Sequence, residues 1–97
     1  MISICITVKN RSRVKTGERE LHLFPNCVKS IVKSFVPEIP CELVVTDWES
    51  DDWPLRGWLE EAARPIPVQI ITIKGPFSRG KGRNLAAYKA KGNMIFF

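Results

Sequence analysis

Ninety-seven residues allow one domain and no second. Hydrophobic residues make up 44% of the chain and charged residues 26%, ordinary globular usage that excludes disorder, collagen-like repeats and a coiled coil. No apolar run approaches the ~20 residues of a membrane helix. The stretch Ile2 to Val8 lacks the basic flank and cleavage site of a signal peptide. The expected location is therefore the cytoplasm. The net charge of +5 admits a nucleic acid, an anionic lipid or a phosphate-bearing small ligand. Its distribution is uneven: Lys9, Arg11, Arg13 and Lys15 crowd one segment, Lys74 to Lys91 another, and acids gather from Asp47 to Glu61. Cys5, Cys27 and Cys41 have no metal-ligand spacing, and His22 is the single histidine. A zinc site is disfavoured, and three free, mostly buried thiols are expected.

In chain order, Ile2 to Val8 is β-branched and apolar, the signature of a strand buried on both faces. Residues 9–20 are polar and charged with Gly17, and read as a loop too long for a hairpin turn. Phe24, Cys27, Val28, Ile31, Val32 and Phe35 recur at helical spacing. Pro25 suits a first turn, although a start near Glu18 also fits, and Pro37 and Pro40 end the element. Cys41 to Asp47 is a second strand. After the Trp48–Asp52 loop, Asp51 or Asp52 is expected to cap a helix with Pro54 in its first turn and Leu55, Trp58, Leu59 and Ala62 as its apolar stripe. Pro65 and Pro67 stop it. Val68 to Ile73 is a third strand. Gly75 to Gly82 reads as a basic loop, and Asn84 to Lys91 as a helix closed by Gly92. Asn93 to Phe97 is a fourth strand.

Strands alternating with helices predict an α/β fold, an open parallel sheet of about four strands with helices on both faces. Ligands of such sheets bind beyond the carboxyl ends of the strands. That places Lys9, Asn10 and Arg11, then Asp47, Glu49, Ser50 and Asp52, then Gly75 to Arg83, at the candidate edge. Gly75 to Gly82 nearly matches a phosphate-binding P-loop, but Gly82 replaces the magnesium-binding hydroxyl and Pro76 lacks an amide. A glycine-bearing basic loop before a helix can still hold phosphate. No dinucleotide fingerprint follows the first strand, and the acidic run lacks the glycine of a calcium loop. Asp47, ending a buried strand, needs a partner, either a ligand or an internal cation. His22 reads as a surface or capping residue, Trp58 as core. Trp48 is a candidate pocket wall. No nucleophile and base are paired.

These residues, taken together, resemble the nucleotide-binding half of family 2 glycosyltransferases, which have the GT-A fold. Ile2-Ser-Ile-Cys-Ile-Thr-Val-Lys-Asn-Arg11 is similar to that family's opening V-S-V-I-I-P-T-Y-N-R, and Phe24 to Phe35 to its first helix. Leu43-Val-Val-Thr-Asp-Trp-Glu-Ser-Asp-Asp52 is similar to I-I-V-V-D-D-G-S-T-D, and Gly80 to Phe97 to G-x-A-R-N-x-G-x-x-x-A-x-G-x-Y-I-x-F. The likeness spans the chain. It implies strand order 3-2-1-4, counting the four strands in chain order, and a domain portion over residues 1–97 that ends just before an expected Asp-x-Asp. It implies binding of a sugar nucleotide, a UDP-sugar, for glycosyl transfer to an acceptor the sequence does not identify. Thr7, Asn10 and Arg11 match the turn bordering the nucleoside, Asp47 the acid that hydrogen-bonds the base, and Arg83 and Asn84 the R-N pair near the nucleotide. The divalent metal of the family, manganese or magnesium, would have its ligands outside this chain, as would the catalytic base. The portion itself is then expected to be inactive. Lys9, Trp48 with Glu49, and Lys81 with Gly82 depart from the family pattern. An unpaired sheet edge invites self-association. A P-loop-like nucleotide binder and a basic nucleic-acid module are the alternatives. Neither a nucleic-acid partner nor a membrane span is expected.

Overall fold

The computed structural model describes all residues from 1 to 97. The elements are β1 (Ile2–Val8), β2 (Val14–Thr16), β3 (Arg19–Leu21), α1 (Leu23–Lys33), β4 (Cys41–Asp47), a 3-10 turn (Leu55–Gly57), α2 (Leu59–Ala62), β5 (Val68–Thr72), α3 (Arg79–Lys89) and β6 (Met94–Phe96). Four strands form one parallel sheet in the order β5-β4-β1-β6. The protein is α/β, with helices on both faces of this sheet.

The two faces follow from strand alternation. Ile4, Ile6 and Val8 of β1, Leu43 and Val45 of β4, and Val68 and Ile70 of β5 turn to one side. There they meet Phe24, Val28 and Ile31 of α1 and Leu55, Leu59, Ala63 and Ile66 of the 55–66 segment. Full burial of each large aliphatic side chain contributes roughly 1.5–3 kcal/mol, so this side holds most of the core. On the other side Cys5 and Val44 lie under Ala86 of α3. Small residues there let the helix sit close to the sheet.

Gly82 shows how close. A Cβ on it would come within 2.8 Å of Thr7 Cβ and 3.0 Å of Trp48 Nε1. Thr46 Oγ1 donates to the Gly82 carbonyl at 2.9 Å from a buried position, which fixes this first turn of α3 on the sheet. Gly92, after the helix, passes equally near β1: a Cβ would lie 2.6 Å from the Met1 carbonyl oxygen.

Several elements differ from the sequence expectation. Within residues 9–20 and one residue beyond, β2 and β3 pair as a short antiparallel hairpin turning at Gly17, φ 63°. Their three-residue length and exposed side chains leave no alternation to read. α1 begins at Leu23, not near Glu18. The helix expected from Pro54 is a 3-10 turn followed by a single α-turn. Trp58 has non-helical φ −145° between them, and Ala63 rather than Ala62 is buried. Neither Asp51 nor Asp52 caps it. α3 starts at Arg79, five residues before Asn84, because the Ser78 hydroxyl accepts the Lys81 amide at 3.3 Å and caps the first turn. Gly92 is not in the left-handed conformation of a closing residue; its small size serves the approach to β1. Of the three thiols only Cys5 is buried, while Cys27 is exposed and Cys41 lies between. Burial pushes the Cys5 thiol up, and the Glu42 carboxylate adds to this; burial alone raises Cys41. Neither is an activated thiolate. No helix is long and apolar enough to cross a membrane.

Glu42 closes the amino-terminal end of the sheet. Its carboxylate is buried and accepts Ser3 Oγ at 2.6 Å, the Lys91 amide at 2.6 Å and the Gly92 amide at 3.2 Å. Burial pushes its pKa up, but these three donors and the Lys91 charge outweigh burial, and the group titrates below its ordinary value. A depressed folded pKa stabilises above the unfolded value of ~4.3 and loses that stabilisation as pH falls through the folded value. Urea unfolding midpoints should therefore fall as pH drops below ~4.3, and Glu42→Gln should flatten that acid limb. An unchanged limb in the variant would mean that Glu42 carries no such linkage.

Candidate functional site

β1 and β4 run parallel in register over seven residue pairs, from Ile2 opposite Cys41 to Val8 opposite Asp47. Both strands therefore end at one level, and the loops 9–13 and 48–53 leave side by side. Asn10 joins them. Its amide donates to Ser50 Oγ at 3.0 Å, and its Oδ1 accepts the Asp51 amide at 2.9 Å and the Asp52 amide at 3.4 Å. Asn10 has φ 49°, a left-handed conformation that asparagine tolerates better than most residues. Asp52 answers from the other loop: Oδ2 accepts the amides of Ser12 and Arg13, both at 2.9 Å, and Oδ1 accepts the Trp53 amide at 2.9 Å. Asp52 thus binds loop to loop rather than capping a helix.

Asp47 Oδ1 accepts the Ser50 amide at 3.0 Å, folding the turn in which Glu49 has φ 51°. No cation pairs with Asp47: both ion contacts of the molecule use Glu20, with Arg13 and with His22. Asp47 is 7% exposed, and its Oδ2 has no partner within the protein. Lys9 Nζ donates to the Trp48 carbonyl at 3.0 Å. Arg11 folds back onto the carbonyls of Lys9 and Asn10.

Two polar cavities open at this edge. The first, about 380 Å³, is lined by Thr7, Val8, Lys9, Asn10, Arg11, Phe77 and Arg79. Thr7, Asn10 and Arg11 are thus brought together, joined by Phe77 and Arg79 from the segment leading into α3. The second, about 270 Å³, lies between the ends of β4 and β5, where Asp47, Ser50, Arg56 and Thr72 are among its walls. Arg83 and Asn84 line neither cavity and are exposed on α3; Arg83 stacks over the Phe97 ring at 5.7 Å. The six residues singled out from sequence therefore fall into three places, not one. Trp48 is buried rather than a pocket wall: its Nε1 donates to Thr7 Oγ1 at 3.0 Å, and its ring meets Phe77 edge-on at 5.9 Å. Trp58 is half-buried. His22 is a surface residue beside Glu20 and Trp53; it stands at the N-cap position of α1, and its side chain makes no capping hydrogen bond.

Arg79, which sits just inside α3, lay within the Gly75–Arg83 segment expected at this edge but was not singled out there, and Glu42 was missed. The signal for Arg79 was Ser78 as an N-cap. The supposed P-loop is not one: residues 79–82 are helical, so this segment does not wrap around a phosphate. No three histidine, cysteine or acidic side chains gather as a set of metal ligands; both oxygens of Asp52 and one of Asp47 accept backbone amides. Protein-family models, curated proteins and solved structures give no match to this chain.

The clasp between the loops makes a specific demand. Asp52→Ala leaves three amides without their acceptor, and a lost charge-assisted acceptor costs ~1.5–3 kcal/mol. Hydrogen exchange at the Ser12 and Arg13 amides should accelerate in this variant while amides of β4 change much less. Uniform acceleration across the chain would show that the clasp is not a local unit.

Proposed function

We infer that this chain is the nucleotide-binding portion of a glycosyltransferase-like domain of GT-A type, and that it takes a sugar nucleotide, a UDP-sugar, for transfer to an acceptor. The observation that carries this reading is the first cavity, in which Lys9, Arg11 and Arg79 surround a space of about 380 Å³ at the carboxyl end of β1. A diphosphate brings negative charge that such a cavity neutralises, and guanidinium groups fit phosphate oxygens in pairs. Phe77, 45% exposed on the same wall, offers a flat apolar surface to a sugar or base ring. Asp47, beside the second cavity, has Oδ2 free to accept a ring N–H of uracil. In this arrangement the nucleotide would lie across the edge, its base toward β4 and its phosphates toward β1.

Two further features support the same reading. The left-handed turn falls on Glu49, the position where the family pattern has glycine; a side chain there costs about 1–2 kcal/mol of backbone strain. Asn10, Ser50 and Asp52, which match the pattern, are the residues that tie the two loops. The parallel sheet, in the order β5-β4-β1-β6, brings the carboxyl ends of β1 and β4 side by side, which supports a ligand at that edge. During transfer, Arg11 and Arg79 would hold the departing diphosphate and stabilise its developing charge. The metal of the family pattern would draw on acids other than those described, so no step is assigned to it.

Isothermal titration with UDP tests the reading. Arg79→Ala and Asp47→Asn should each weaken binding about 10- to 100-fold, the range for one charged hydrogen bond in a partly buried site. Lys81→Ala, outside both cavities, should change it much less. Equal losses from all three substitutions, or no binding of UDP by the unaltered chain, would count against the proposal.

A further inference from the structure

One hydroxyl at the carboxyl edge of the sheet has a hydrogen that no group of the protein accepts. Trp48 is 1% exposed, and its Nε1 donates to Thr7 Oγ1 at 3.0 Å. An indole nitrogen can only donate, so the direction of this bond is fixed and Thr7 is its acceptor. The hydroxyl keeps one hydrogen of its own to give. Thr7 Oγ1 makes no second hydrogen bond, and the cross-strand Thr46 hydroxyl is turned to the Gly82 carbonyl. The surroundings decide where that hydrogen points. Thr7 lies with Ser3 and Cys5 on the α3 side of β1. A Cβ on Gly82 would collide with Thr7 Oγ1 and come within 3.0 Å of Trp48 Nε1. The helix backbone therefore closes one side of the hydroxyl, and the indole closes another.

The open side is the first cavity, of which Thr7 is a wall. Its other walls include Lys9, Arg11 and Arg79 and no carboxylate, so the acceptor these surroundings attract is an anionic oxygen. Trp48 and Gly82 both depart from the family pattern, and here they meet at one hydroxyl. The indole and the close helix turn fit together because Gly82 has no Cβ. We propose that Trp48 is a positioning residue, which holds the Thr7 hydroxyl as a hydrogen-bond donor to a phosphate oxygen in the first cavity. The inference rests on the donor-site reading for the identity of that anion, the diphosphate of a nucleotide. Hydrogen bonds in series polarise one another. A phosphate that accepts from Thr7 therefore strengthens the bond that the indole makes to the same oxygen.

NMR of the indole and amide N–H groups tests this, with inorganic diphosphate and, separately, uridine as probes. Diphosphate should move the Trp48 indole proton downfield, and uridine should leave it in place. Thr7→Val keeps the shape of the side chain but should weaken diphosphate binding about tenfold, the lower range for a hydrogen bond to a charged group. It should also abolish the indole shift. Thr7→Ser retains the hydroxyl and should restore most of the affinity. Trp48→Phe should weaken binding as well, but combined with Thr7→Val it should cost no more than Thr7→Val alone, because the indole acts only through that hydroxyl. Additive losses, or no binding of diphosphate by the unaltered chain, would overturn the proposal. Undiminished diphosphate binding by Thr7→Val, with uridine still shifting Asp47–Ser50, would overturn this inference alone. A diphosphate response that depends on Thr7, without any binding of uridine, would uphold it and count against the donor-site reading.

Discussion

The parallel register between β1 and β4 is the constraint on which the candidate site depends. With Val8 opposite Asp47, both strands release their loops at one level, and Asn10 and Asp52 can each reach the amides of the opposite loop. A slip by one residue would turn Ile4, Ile6 and Val8 away from α1 and bring Ser3 and Thr7 into the apolar core. The register is therefore set by burial on one face, and the polar clasp exploits a geometry that hydrophobic packing has already imposed.

The second face is organised by contact distance rather than by bulk. α3 presents Gly82 and Ala86 to the sheet, and Thr46 and Trp48 occupy the space that larger helix residues would take. That close approach aims the start of α3 at the carboxyl end of β1 and brings Arg79 to the cavity wall. At the far end, Glu42 receives the amides that follow α3. The helix is thus held by a carbonyl at one end and a carboxylate at the other, with little apolar area between. Basic residues on its outer surface are consequently free of structural duties.

The large elements were legible because their signals are physical and redundant. Cys41 to Asp47 is β-branched and flanked by Pro40, and Phe24 to Phe35 repeats at helical spacing. The sheet and its layers follow from such patterns. What the sequence obscured involves glycine, short elements or long-range hydrogen bonds. Gly80 and Gly82 made the first turn of α3 look like a loop, although Ser78 marked its start. Trp58 interrupts a stripe that would otherwise suit one helix. Asp51 and Asp52 looked like caps because their local setting allows it, and only the neighbouring loop, some forty residues away in sequence, reveals what Asp52 binds. The candidate site was legible as an edge of the sheet. Its division into two cavities, with Arg83 and Asn84 outside both, depends on how α3 sits and could not be read from spacing.

The central proposal is that this edge receives a nucleotide, its phosphates at the cavity beyond β1 and its base at Asp47. Amide NMR of the unaltered chain, titrated with UDP and separately with inorganic diphosphate, tests it most directly. The account predicts that UDP shifts resonances at both Asn10–Arg11 with Arg79 and at Asp47–Ser50, whereas diphosphate shifts the first group alone. A dispersed spectrum in which UDP moves neither group, or moves only residues remote from the carboxyl ends of β1 and β4, would contradict it.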